Sequence, residues 1–170
     1  MLPTSNLLVV SVVAGCGATS ALVDLRYRRI PNLLTVGMAA LGVALSTVHA
    51  SSIGVAQAFG GLAVGLLLML PGFLIGATGG GDVKLFAALG TMLGPTRIGM
   101  AFLYTALVGA ALALAIAWRR KRLATTIERA VALVSADGTA ARDIEHSAAY
   151  NRFAYAPAIA LGTLAAALGL

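Results

Sequence analysis

The sequence is short of charge. Asp, Glu, Lys and Arg make up 11% of its 170 residues, and only six of them are acids, against roughly a quarter charged in an ordinary soluble domain. So few charges cannot cover a water-facing surface, and with 59% apolar residues and a mean hydropathy of +0.94 the chain reads as an integral membrane protein. It also lacks the alternation of apolar and polar residues that marks barrel strands. Long uncharged runs of Ala, Leu, Val and Gly stand in its place, so the expected class is all-α, a polytopic helical bundle. Cysteine is nearly absent. Cys16 stands alone, which excludes an internal disulfide and a multi-cysteine zinc site within one chain. No metal and no cofactor are expected. The net charge of +6 does not point to nucleic acid, because the basic residues flank apolar runs, where anionic lipid and the positive-inside rule account for them.

The apolar runs predict six spans in one membrane-embedded domain over residues 1–170. A core of about 30 Å needs about 20 helical residues, and the first run, Leu7 to Val23, comes close to that. Val13-Ala14-Gly15-Cys16 is similar to a lipoprotein cleavage box, but no basic residue precedes it, so this run is expected to be a retained span. It gives way to Asp24-Leu25-Arg26-Tyr27-Arg28-Arg29-Ile30-Pro31-Asn32, where three arginines mark a cytoplasmic turn and Pro31 suits the start of the next helix. Leu33 to Val48 and Val55 to Ile75 follow. The latter carries Gly61-x-x-x-Gly65 and Gly72-x-x-x-Gly76, spacings that let helices approach closely in lipid and hint at a central position. Next come the short run Leu85 to Leu93, a break at Gly94-Pro95, and Ile98 to Trp118.

The break decides the topology. A single helix across it would put Arg119-Arg120-Lys121-Arg122 outside, whereas an outer turn at Gly94-Pro95 leaves only Arg97 there. Both termini are then outside, and 24–32, 76–82 and 119–152 are cytoplasmic. Within that last segment Leu123, Ile127, Ala130, Val131 and Val134 recur at helical spacing, which suggests an amphipathic helix on the membrane surface, a solvated linker being the alternative. The run Phe153 to Leu170 crosses last.

Four of the six acids, Glu128, Asp137, Asp143 and Glu145, fall in the 119–152 segment. Asp24 and Asp82 remain, one at the cytoplasmic end of the first span and the other at the start of the fourth, inside Gly79-Gly80-Gly81-Asp82-Val83-Lys84. Acids at a membrane boundary are costly and mark function by default. Each also has a bland explanation: Asp82 can cap a helix, and Asp24 can pair with Arg26 or Arg28. Their matched depth favours a catalytic pair, in which two close carboxylates share a proton, one activating water and the other protonating the oxyanion. The three glycines would let a substrate backbone approach Asp82. Lys84, roughly 200° further around the helix, should face the headgroups.

Gly79-Gly80-Gly81-Asp82-Val83-Lys84 resembles the G-x-G-D motif of the type IV prepilin peptidases. Asp24 with Arg29-Ile30-Pro31-Asn32 resembles that family's first aspartate and its basic-I-P-N turn, and Tyr155-Ala156-Pro157-Ala158-Ile159-Ala160-Leu161-Gly162 is similar to its last-span signature. The resemblance implies an aspartic endopeptidase of the cytoplasmic membrane that removes the basic leader of prepilin-like or pseudopilin substrates and works beside pilus assembly machinery. It implies Asp24 and Asp82 as catalytic residues, with Gly79, Gly80, Gly81, Pro31 and Asn32 positioning the substrate. Longer relatives carry a cysteine-rich insertion linked to N-methylation. The tight turn from Asp24 to Pro31 has no room for it, so the chain resembles the short peptidase-only form of tight-adherence systems. Two readings from other classes remain: a proton-coupled transporter, which should carry midplane acids and an inverted repeat, and a scaffold subunit of a secretion apparatus. Presenilin-like proteases share G-x-G-D, but a tyrosine precedes their first aspartate, where Val23 stands here.

Overall fold

The computed structural model describes residues 4–48, 50–51, 53–76, 78–119 and 155–170. All elements among them are helices: α1 (Thr4–Tyr27), α2 (Asn32–Thr47), α3 (Val55–Leu74), α4 (Gly80–Arg119) and α5 (Ala156–Leu168). The amphipathic helix expected over 123–134, the acids of that segment and the basic cluster from Arg120 onward lie outside the described residues. Three stretches, Leu7–Tyr27, Val55–Leu74 and Gly80–Ala115, are long and apolar enough to cross a membrane, and α2 and α5 are shorter apolar helices. The fold is therefore a membrane-type helical bundle.

Helix boundaries follow backbone chemistry. Helix α1 runs past the expected limit at Val23, which puts Asp24 inside its last turn. It stops at Arg28, which adopts φ 50° and closes the turn by donating its N–H to the Asp24 carbonyl at 2.8 Å. That left-handed position is the one glycine normally fills after a helix. Pro31 is the N-cap of α2, with φ −63° and ψ 139°, and its carbonyl receives the N–H groups of Leu34 and Thr35. Gly76, at φ 73°, ends the turn after α3.

Helix α4 is continuous in name only. Gly94 has φ 76° and ψ 174° in its middle, and the chain doubles back there. The rings of Phe86 and Phe102 meet edge to face with centroids 6.2 Å apart, although 16 residues of straight helix would separate them by about 24 Å. The sequence break at Gly94-Pro95 is thus a reversal, between a first segment (80–93, here α4a) and a returning one (95–119, α4b).

The core is built on α4a. Every residue from 85 to 94 is buried, with Leu85, Phe86 and Leu89 fully so, as expected of a helix apolar all round. Helix α3 runs antiparallel against it: a Cβ on Gly61 would run into the Gly90 carbonyl, and one on Gly65 would lie 3.1 Å from Ala87 Cα. Gly61-x-x-x-Gly65 is therefore a packing seam. The hint that α3 is central fails, however, because Phe59, Leu66, Leu67, Phe73 and Leu74 are exposed on its other faces. Gly72-x-x-x-Gly76 is no seam either, since Gly72 faces Thr78 of its own turn. Helix α2 lies parallel to α4a, with Gly42 on Thr91, and α5 lies antiparallel to both α4b, through Gly162 on Thr105, and α1, through Gly17 on Ala160. Glycine at these crossings allows close backbone approach, which matters in lipid because association rests on packing rather than on hydrophobic transfer.

Candidate active site

The end of α1 and the starts of α2, α4 and α5 gather at one end of the bundle, and both spans' aspartates are there. Asp24 is 8% exposed. Its Oδ2 accepts the backbone N–H of Ala156 at 3.4 Å, and Arg28 acts on it electrostatically. Ala156 opens α5, where Pro157 in the first turn fits the helix start by needing no N–H partner. Asp24 thus holds the N-terminus of a helix 132 residues away in the chain.

Asp82 is the third residue of α4. Its Oδ2 accepts the N–H of Gly79 at 3.3 Å, the return arm of a capping box. The capping role weighed from the sequence is real. The geometry also links Asp82 to the other aspartate, because the Tyr155 phenol lies within electrostatic range of Asp82, while the next residue, Ala156, donates to Asp24. Tyr155 is itself anchored: its hydroxyl donates to the Thr105 carbonyl at 3.4 Å, and its ring covers Gly109. The start of α5 is therefore in contact with Asp24 and within electrostatic range of Asp82.

The glycines before Asp82 are packed by the chain itself. A Cβ on Gly79 would lie 3.2 Å from Asp82 Oδ2, one on Gly80 would lie 3.4 Å from the Phe73 ring, and one on Gly81 would lie 3.3 Å from Ile30 Cβ. Asn32 is exposed, and its Oδ1 accepts a hydrogen bond from Lys84 Nζ at 3.0 Å. Lys84 is exposed, as expected, but its ammonium ends on Asn32 of the I-P-N turn. Sequence reasoning missed this bond and the part of Tyr155. Pro157 was a usable signal for the latter, since a proline opening a helix puts the preceding residues at its N-terminus.

Among the described residues, no three His, Cys, Asp or Glu side chains come together as metal ligands. The arrangement offers two carboxylates at the mouths of helices that share an end. Such a pair can exchange protons with water and with a peptide group.

A stretch of 96 residues is 33% identical to the prepilin leader peptidase/N-methyltransferase of Bacillus subtilis (strain 168), covering 53% of this chain and 37% of that protein. No solved structure matches. The model of the type IV leader peptidase family matches residues 11–114, a span that includes both aspartates, the I-P-N turn and the G-x-G-D turn, and the chain belongs to that family.

Proposed function

We propose that the protein is a membrane aspartic endopeptidase that removes the basic leader of prepilin-like proteins at the cytoplasmic face of the inner membrane. One observation carries the reading: Asp24 accepts the N–H of Ala156 and Asp82 acts electrostatically on the adjacent Tyr155, so the two carboxylates, from helices far apart in sequence, lie toward the same start of α5. The chain crosses the membrane six times, α4 twice because of the reversal at Gly94, with the aspartate end in the cytoplasm as the arginines of the α1–α2 turn favour.

Two carboxylates in such a pair share one proton, since like charges held close resist ionising together. The ionised partner takes a proton from water, which attacks the scissile carbonyl. The protonated partner donates to the forming oxyanion, and the proton taken from water then leaves with the amine. Gly79, Gly80, Gly81, Pro31 and Asn32 flank Asp82 and position the substrate there, with Phe73 and Ile30 already packed against Gly80 and Gly81. Only residues 28–31 connect α1 and α2, which leaves no inserted module between them, and the activity is leader cleavage without methyl transfer. The substrate is a prepilin or pseudopilin, with lipid and pilus assembly machinery as surroundings.

The test is cleavage of a cognate prepilin by Asp24→Asn and Asp82→Asn, read by gel shift and mass spectrometry. Asparagine keeps the shape and the capping oxygen but cannot exchange the proton, so each variant should accumulate in the membrane and lose at least about 10²–10⁴-fold in rate. Near-normal processing by either would return Asp82 to a capping role alone.

A further inference from the structure

Asp24 and Asp82 sit on α1 and α4, which touch each other far less than α4 touches α3 or α5. Their relative placement must come through intermediaries. One is the start of α5. The other is the turn between α1 and α2, which leans on α4 at two points beside Asp82: Ile30 packs on Gly81, and Asn32 Oδ1 accepts from Lys84 Nζ at 3.0 Å. Gly81 immediately precedes Asp82 and Lys84 is two residues after it, so one contact bears on the backbone beside the carboxylate and the other on a side chain of the same helical turn. At its other end the turn is tied to Asp24, whose carbonyl accepts the N–H of Arg28 at 2.8 Å, with Arg28 held at φ 50°.

We infer that Lys84 and Asn32 form a clamp that sets the position of Asp82 relative to Asp24, making Lys84 a positioning residue for the proposed peptidase. The inference rests on that reading of the site and adds Lys84 to it, with Asn32 acting on Asp82 as well as beside the substrate. Ile30 against Gly81 is a short apolar contact without direction, whereas the exposed hydrogen bond from the Lys84 ammonium is directional and ties the start of α2 to α4. A carboxylate that must reach its partner through a water tolerates little displacement, because a shift near 1 Å can cost up to about 10²-fold in rate.

Initial rates of prepilin cleavage across substrate concentration and pH would be measured for Lys84→Met, Asn32→Ala and the double variant, normalised to protein in the membrane. Each single change should lower kcat roughly tenfold, and KM should stay the same for Lys84→Met. The double variant should lose no more than the worse single, as expected for two residues acting as one contact. Lys84→Arg, which can still donate to Asn32, should recover most of the rate. Unchanged kcat, additive losses or a displaced pH profile would overturn the clamp, the last because it would mean that the lysine acts through its charge on the aspartates.

A readout independent of activity uses Ile30→Cys with Gly81→Cys in a Cys16→Ser background, since the 3.3 Å approach is close to the Cβ spacing of a disulfide. Cross-linking should slow several-fold when Lys84→Met is added, and equal rates would overturn the inference. If the parent protein cleaves no prepilin, the peptidase reading fails by itself. If the parent cleaves, the aspartate variants do not, and Lys84→Met behaves as the parent, only the clamp fails.

Discussion

Adjacent glycines on α3 provide a test of what holds the bundle together. A Cβ added to Gly60 would lie 3.7 Å from the Pro95 ring, an ordinary contact; one added to Gly61 would lie 2.8 Å from the Gly90 carbonyl carbon and 2.9 Å from Gly94 Cα. Carbon atoms rest at about 3.5–4.0 Å, so Gly61→Ala must push α3 from α4a by nearly 1 Å, and the obstructing atoms are backbone that cannot rotate away. Overpacking of this kind costs about 1–3 kcal/mol, and rigid partners put Gly61 toward the upper end. Alanine returns about 0.5–1 kcal/mol through the lower backbone entropy of the unfolded chain. The net loss expected for Gly61→Ala is about 2 kcal/mol, roughly a thirtyfold change in the folding equilibrium, while Gly60→Ala should be neutral or stabilising by up to about 1 kcal/mol. Reversible unfolding in mixed detergent, followed by helical circular dichroism, measures both. Equal effects of the two substitutions would refute the argument, since they share a helix and differ only in what their Cβ meets.

Two further outcomes are expected. A cysteine placed at Thr96 and another at Ser135, each in a Cys16→Ser background, should label from opposite sides of the membrane, because the reversal at Gly94 separates them by one crossing; labelling from the same side would remove the six-crossing topology. Cys16→Ser and treatment with chelators should leave leader cleavage within about twofold of the parent, because one cysteine cannot build a multi-cysteine metal site, and strong inhibition by either would reveal a ligand group overlooked here.

The class and the breaks between helices were legible because they rest on local chemistry, although α1 runs on past Val23 to Tyr27 and α4 begins at Gly80, before Leu85. Apolar runs give helices, Pro31 opens one, and Gly94-Pro95 interrupts another. The placing of Asp24 and Asp82 at the same end of the bundle followed from counting passes and basic residues. What resisted reading was lateral: which helix faces which. The angle from Asp82 to Lys84 around α4 was sound, yet it could not say that α2 would present Asn32 where Lys84 emerges. For the same reason Gly79, Gly80 and Gly81 read as open ground for a substrate, although Asp82, Phe73 and Ile30 already lie against them. A glycine in a sequence announces that something comes close without saying what.

That limit explains why α5 was undervalued. Its first residue supplies the N–H that Asp24 accepts, and the residue before it brings a phenol near Asp82, but both lie beyond residues 11–114, the span that matches the family model. The two aspartates are therefore encoded in the first half of the chain, while one of the supports that hold them is encoded near residue 155. Because α1 and α4 touch so little, these supports have to come from helices that carry neither acid: α5 beside Asp24, and the start of α2 beside Asp82. Two carboxylates held this way are sensitive to helix packing some distance from them. Gly162 on Thr105 and Gly17 on Ala160 fix how α5 lies against α4b and α1, and so they set where the Ala156 N–H points. The small residues of the bundle and the acids at its end belong to one piece of geometry.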